Sequence, residues 1–105
     1  AQAEARTPNY QKIALGLFRY NVGKALLNMD RLELAQHLFT AAIQDPTTAE
    51  RERALSHLYL AEVLDLRGNR QQAVANYQQV LSVANFEDSH STAQGYLKKP
   101  YRRAR

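Results

Sequence analysis

The chain has 105 residues, 45% of them hydrophobic and 23% charged, with a formal net charge of +4. That length holds one domain, or part of an array, around a modest core, and the composition argues against overall disorder. The absence of cysteine excludes disulfides and thiolate metal sites, and no apolar run reaches the roughly eighteen residues that a membrane-spanning helix needs.

Residues 1–8 are small and polar and predict a flexible lead-in, and Pro8 suits the first turn of a helix, where its missing N–H costs nothing. Over residues 9–29 the apolar positions Ile13, Leu17, Tyr20 and Leu27, and Ala14, Phe18, Val22, Ala25 and Met29, recur at the helical period. Asn28-Met29-Asp30 predicts a turn, followed by a second helix over 32–44 that Asp45-Pro46 stops. Thr47 or Thr48 is expected to cap a third helix, with Glu50 and Glu52 in its first turn. That helix runs to about Arg67, where Gly68-Asn69 supplies a left-handed ending. A fourth helix is expected over 70–84, a loop over 85–89 and a short fifth helix over 91–98, ended by Pro100. No strand signal is present. The expected fold is all-α: four main helices in two hairpins over 9–86, a loop and capping helix over 87–97, and a basic tail over 98–105.

The two hairpins repeat each other. Gly23 aligns with Ala61, Leu26 with Leu64, Asp30 with Gly68, Ala35 with Ala73, Phe39 with Tyr77 and Ala42 with Val80, at a constant offset of 38. A unit this small cannot bury its own apolar face and must stack on copies of itself. Small residues at Gly23, Ala35, Ala61 and Ala73 let paired helices approach, and Phe39 and Tyr77 fill the space between hairpins.

In these positions the chain resembles the tetratricopeptide repeat family, over about residues 16–84. Leu60-Ala61, Gly68, Ala73 and Tyr77 stand where that family has its Leu-Gly, turn glycine, small residue and aromatic. Val22-Gly23, Ala35, Phe39 and Ala42 match likewise. Arg19 and His57 replace the family's early tryptophan, Leu26 and Leu64 its mid-helix tyrosine, and the period exceeds the usual ~34 residues by about one helical turn. The resemblance implies a short solenoid whose first helices line a concave face, here Leu17, Tyr20, Lys24 and Leu27 with Leu55, Leu58, Glu62 and Leu66. Such a face is mostly apolar and lacks the basic groups of a carboxylate clamp; it suits an apolar partner segment unless the chain's own ends cover it.

Arrays of this kind normally need about three repeats with polar caps, so end-to-end stacking of copies into an oligomer or filament is the leading expectation. A peptide-binding adaptor using the concave face is the second. A third follows from the charge: Lys98, Lys99, Arg102, Arg103 and Arg105 carry the tail's five positive charges, leaving the body at nine Lys/Arg against ten Asp/Glu. That tail suits nucleic acid, an anionic surface or a neighbour's acidic Glu50–Glu52 turn, with a solvated end as the bland alternative. Catalysis is not expected, nor is a cofactor or a metal. Glu33 and His37 read as a surface pair, Glu87, Asp88 and His90 are irregularly spaced, and no phosphate loop or nucleophile elbow exists. The start Ala1-Gln2-Ala3, without methionine, fits a processed secretory terminus, so a secreted or periplasmic location is expected, with the cytoplasm as the alternative.

Overall fold

A computed structural model describes residues 2–103, with side chains from Ala14 onward. It is all-α, with five helices: α1 (Gln2–Asn28), α2 (Leu32–Gln44), α3 (Glu50–Leu66), α4 (Arg70–Leu81) and α5 (Ser89–Lys98). No strand occurs among the described residues. Each helix packs on its neighbour in sequence, and α3 also touches both α1 and α5, whereas α2 and α4 do not touch. Helices α1, α3 and α5 therefore form an inner row, with α2 and α4 on the outside.

The repeat legible in the sequence is also a repeat of geometry. Asp30 and Gly68 both take left-handed backbone, at φ 62° and 81°. Arg31 N donates to Leu26 O and Asn69 N to Leu64 O, each at 2.8 Å, so both inner helices end in the same six-to-one closure. Ala35, Phe39 and Ala42, and their counterparts Ala73, Tyr77 and Val80, are all fully buried. Phe39 lies against Gly23, where a Cβ would come within 2.7 Å of the ring, and stacks on Tyr59 of α3 at 6.0 Å. One aromatic thus joins its own hairpin to the next.

Several expected boundaries move. Helix α1 begins at Gln2, seven residues ahead of the expected start, and runs through Pro8; Ala3, Glu4, Ala5 and Arg6 are strong helix formers that a composition-based lead-in undervalues. Neither threonine caps α3, whose N-cap is Ala49. The Asp45 carboxylate instead accepts from the Thr47 amide at 2.9 Å and its hydroxyl at 2.7 Å, folding the α2–α3 turn onto itself. Those bonds, helped by Arg19, hold the Asp45 carboxyl below its ordinary range. Thr48 is buried against Gly16, where any side chain would collide with its hydroxyl. Helix α4 stops at Leu81, three residues early, because Ser82 turns its hydroxyl back to Gln79 O at 2.7 Å. Helix α5 starts at Ser89, two residues early, after left-handed Glu87 and Asp88.

Candidate interaction surfaces

The eight residues expected to line a concave face separate into two groups. Tyr20, Leu27, Leu55 and Leu58 belong to the buried core, and Glu62 is buried beside them at 6% exposure. Only Leu17 is exposed, and Lys24 and Leu66 are half-buried. Lys24 lays its ammonium over the Tyr20 ring at 4.9 Å and the Tyr59 ring at 5.6 Å, which covers this part of the inner row with the chain's own cation. Most of these apolar side chains are packed in the core and do not line an open groove.

The C-terminal segment closes much of what remains. The chain leaves α5 extended at Lys99 and turns back across the inner row, so the bland alternative of a solvated end does not hold for Tyr101 and Arg103, whereas Lys99, Pro100 and Arg102 are exposed. Tyr101 N donates to Asp65 Oδ2 at 3.0 Å, and the Tyr101 ring sits edge-on to Tyr96 at 5.1 Å. Arg103 reaches α1, where its Nη2 donates to Leu27 O and its Nε lies 3.2 Å from Asp30 Oδ1. Lys98, Lys99 and Arg102 stay exposed, so the basic cluster is split between an inward arginine and outward charges. Arg105 lies outside the described residues.

Asp65 anchors this closure, and sequence reasoning missed it. Its side chain is 1% exposed and accepts from Arg70 Nη1 at 3.1 and 3.0 Å, from Tyr77 Oη at 2.8 Å and from the Tyr101 amide. Arg70 Nη2 in turn donates to Tyr96 O at 2.6 Å and Leu97 O at 2.9 Å, at the last turn of α5. A cation aimed at those carbonyls also complements the negative end of the helix dipole. The available signal was an acid and an arginine flanking the Gly68-Asn69 turn.

Glu62 faces the Arg103 and Asp65 charges, and burial pushes its carboxyl up to about 8, against the pull of Arg103. A folded-state value above the ordinary 4.5 means that the folded chain holds this proton more tightly than the unfolded one. Its contribution is full below pH 4.5 and is lost as pH rises through about 8. Glu62→Gln is therefore expected to stabilise the protein at alkaline pH, on the order of 2–4 kcal/mol, and to flatten this slope. Urea midpoints measured across that window check it; parallel curves for both proteins would contradict the assignment.

Elsewhere the candidate metal ligands disperse. Glu87 pairs with Arg51, and His90 Nε2 donates to Val83 O at 2.6 Å. No group of three or more His, Asp or Glu suited to a metal ion occurs among the described residues, and no described helix is long and apolar enough to cross a membrane.

The two ends of the stack differ. At the α5 end, Ala93 is buried and Tyr96 packs on Tyr77 at 5.7 Å, while Ser91, Gln94 and Lys98 face solvent. The α1–α2 end is uncovered among the described residues: Leu15, Phe18, Met29 and Leu34 are exposed, Phe18 to 61%. With Val22 and Ala25 they make a stripe of 3-4-3-4 spacing along α1, flanked by Leu34 and Leu38 of α2. No family model, curated protein or solved structure matches this chain.

Proposed function

We propose that this chain is a non-catalytic interaction module of tetratricopeptide-like build that pairs with a second copy of itself through the open α1–α2 end. The observation that carries this reading is the apolar stripe Leu15-Phe18-Val22-Ala25-Met29, exposed at every position but half-buried Val22, on a fold whose other end is closed. Its 3.5-residue average spacing is the seam of helix-on-helix packing, and water is a poor neighbour for it. The chemistry also selects the occupant. Head-to-tail stacking would set this stripe against the polar outer face of α5, whereas a two-fold pair gives each stripe an apolar counterpart. In this proposal assembly closes as a pair and does not continue into a filament.

The stripe spans about 21 Å of helix, at 1.5 Å per residue, and two helices in width. That is small beside a standard interface of about 800 Å² per partner, so association should be weak, near micromolar. Sedimentation of the full chain should show a monomer–dimer equilibrium, and Phe18→Glu should remove it while changing folding stability by less than about 0.5 kcal/mol, as expected of an exposed site. A chain that stays monomeric at millimolar concentration, or a dimer indifferent to Phe18→Glu, would sink the reading.

A further inference from the structure

Charge is sorted across the molecule. The last turns of α1, α3 and α5 sit side by side, since Arg70 bonds the Tyr96 and Leu97 carbonyls while Tyr101 and Arg103 link Asp65 to Leu27 O. On this edge Arg31, Arg67, Lys98, Lys99 and Arg102 are exposed, and none pairs with a carboxylate among the described residues. Arg67 finds a neutral acceptor instead, Gln36 Oε1 at 2.6 Å. The acids of the same edge are already engaged: Asp65 holds Arg70, and Asp30 holds Arg103. Glu33 remains, across the open recess along α2 from Arg67.

The opposite edge is acidic and largely self-paired. There Arg19 binds Asp45 and Arg51 bridges Glu52 and Glu87, with Glu50 and Asp88 exposed. An ordinary solvated surface intersperses both signs, whereas here the cations face one another unrelieved. Such repulsion disfavours the compact state until a counter-charge covers it.

Shape and residue type select the counter-charge. Packed helices lie about 8–10 Å apart, so three helix ends spread these cations over a row of roughly 20 Å. A row suits a linear polyanion, and duplex nucleic acid carries one negative charge per about 1.7 Å of its axis. Arg31, Arg67 and Arg102 each bring a planar fork that matches two phosphate oxygens at once. The rings nearest the row are occupied: Tyr101 lies edge-on to Tyr96 at 5.1 Å, and Tyr96 packs on Tyr77 at 5.7 Å. Neither is free for the stacking that holds single-stranded bases. A bilayer retains a protein through charge together with inserted apolar groups. The large apolar side chains exposed near this row, Met29 and Leu34, stand only at its α1–α2 extremity.

We propose that this edge binds the phosphate backbone of double-stranded nucleic acid without reading its sequence. Contact is made by exposed side chains at turns and helix ends, so the fold has no need to rearrange. The site draws on none of the α1–α2 stripe and stands whether or not copies pair there.

Fluorescence anisotropy of a labelled mixed-sequence duplex, titrated with the full chain, tests it. At physiological salt the dissociation constant should lie between about 1 and 100 micromolar, and log K should fall with log salt at a slope of about −3 to −4. Arg31→Gln with Lys99→Gln should weaken binding at least about tenfold and make that slope shallower by about two. Gln44→Glu with Gln78→Glu makes the same change in net charge at exposed positions away from the row. Screening should hold its effect below about twofold. Equal loss in the two double variants would mean that net charge alone acts, and would overturn the proposal. So would tighter binding to the corresponding single strand, or retention by phosphatidylserine–phosphatidylcholine vesicles at protein concentrations that leave the duplex unbound. Should the Arg31 variant lose its helical circular dichroism, the unmodified chain decides: a slope steeper than about −2 supports the row, and a shallower one contradicts it.

Discussion

Replacing Asp65 with alanine is expected to cost about 3–5 kcal/mol, the usual penalty for breaking a buried pair by removing one partner. Three donors make four hydrogen bonds to this one carboxylate from α4 and the tail. Without it Tyr77 Oη keeps no partner in a fully buried setting, and Arg70 loses the anion that aims its second nitrogen at the end of α5. The loss should therefore spread: α5 and residues 99–103 should exchange amide hydrogens faster than α1 and α2. Arg70 is 34% exposed, so water repairs part of the damage and the loss should fall in the lower half of that range. Asp65→Asn should fall between alanine and the unmodified chain, since an amide oxygen still accepts from Tyr77 but offers Arg70 no charge. Chemical denaturation gives the total cost, and a drop below about 1 kcal/mol for alanine would show that Asp65 does not anchor the closure.

The second large effect lies where Phe39 meets Gly23. Phe39→Ala should cost about 3–5 kcal/mol, because the ring is fully buried and serves both hairpins at once. Gly23→Ala should also destabilise, against the usual gain of about 1 kcal/mol for removing a helical glycine. Its Cβ would stand 2.7 Å from Phe39 Cε1, and overpacking of this kind costs roughly 1–3 kcal/mol. The two residues touch, so their effects should not add. Gly23→Ala combined with Phe39→Leu should be less destabilised than the sum of the single changes, since the smaller side chain vacates the space that the new methyl needs. Strict additivity in that cycle would mean that the ring does not set the helix approach.

The repeat was legible because it is written in side-chain volume and in turn residues. Gly23, Ala35 and Phe39 against Ala61, Ala73 and Tyr77 specify how closely two helices lie and what fills the gap. Asp30 and Gly68 specify where each inner helix must turn, so element number, order and pairing followed. Helix starts were less legible. Asp45 competes for the Thr47 hydroxyl that looked like a cap, and such competition depends on a turn geometry that no local pattern states. The surfaces were hardest. A leucine on an inner helix reads the same whether it lines a groove or meets the next helix, so Leu55 and Leu58 looked available although they are buried. The tail's charges suggested an anionic partner or solvent, because the Asp65, Asp30 and Leu27 groups that receive Tyr101 and Arg103 lie more than thirty residues away in sequence.

The uneven exposure of the two ends remains the feature with the widest consequences. A closed α5 end and an open α1–α2 end make one prediction that needs no mutation. In a dilution series followed by amide nuclear magnetic resonance, shifts should move with concentration at Leu15, Phe18, Val22, Met29 and Leu34 and stay fixed through Ser89–Lys98. Movement confined to α5, or none from micromolar to millimolar concentration, would contradict pairing through the open end.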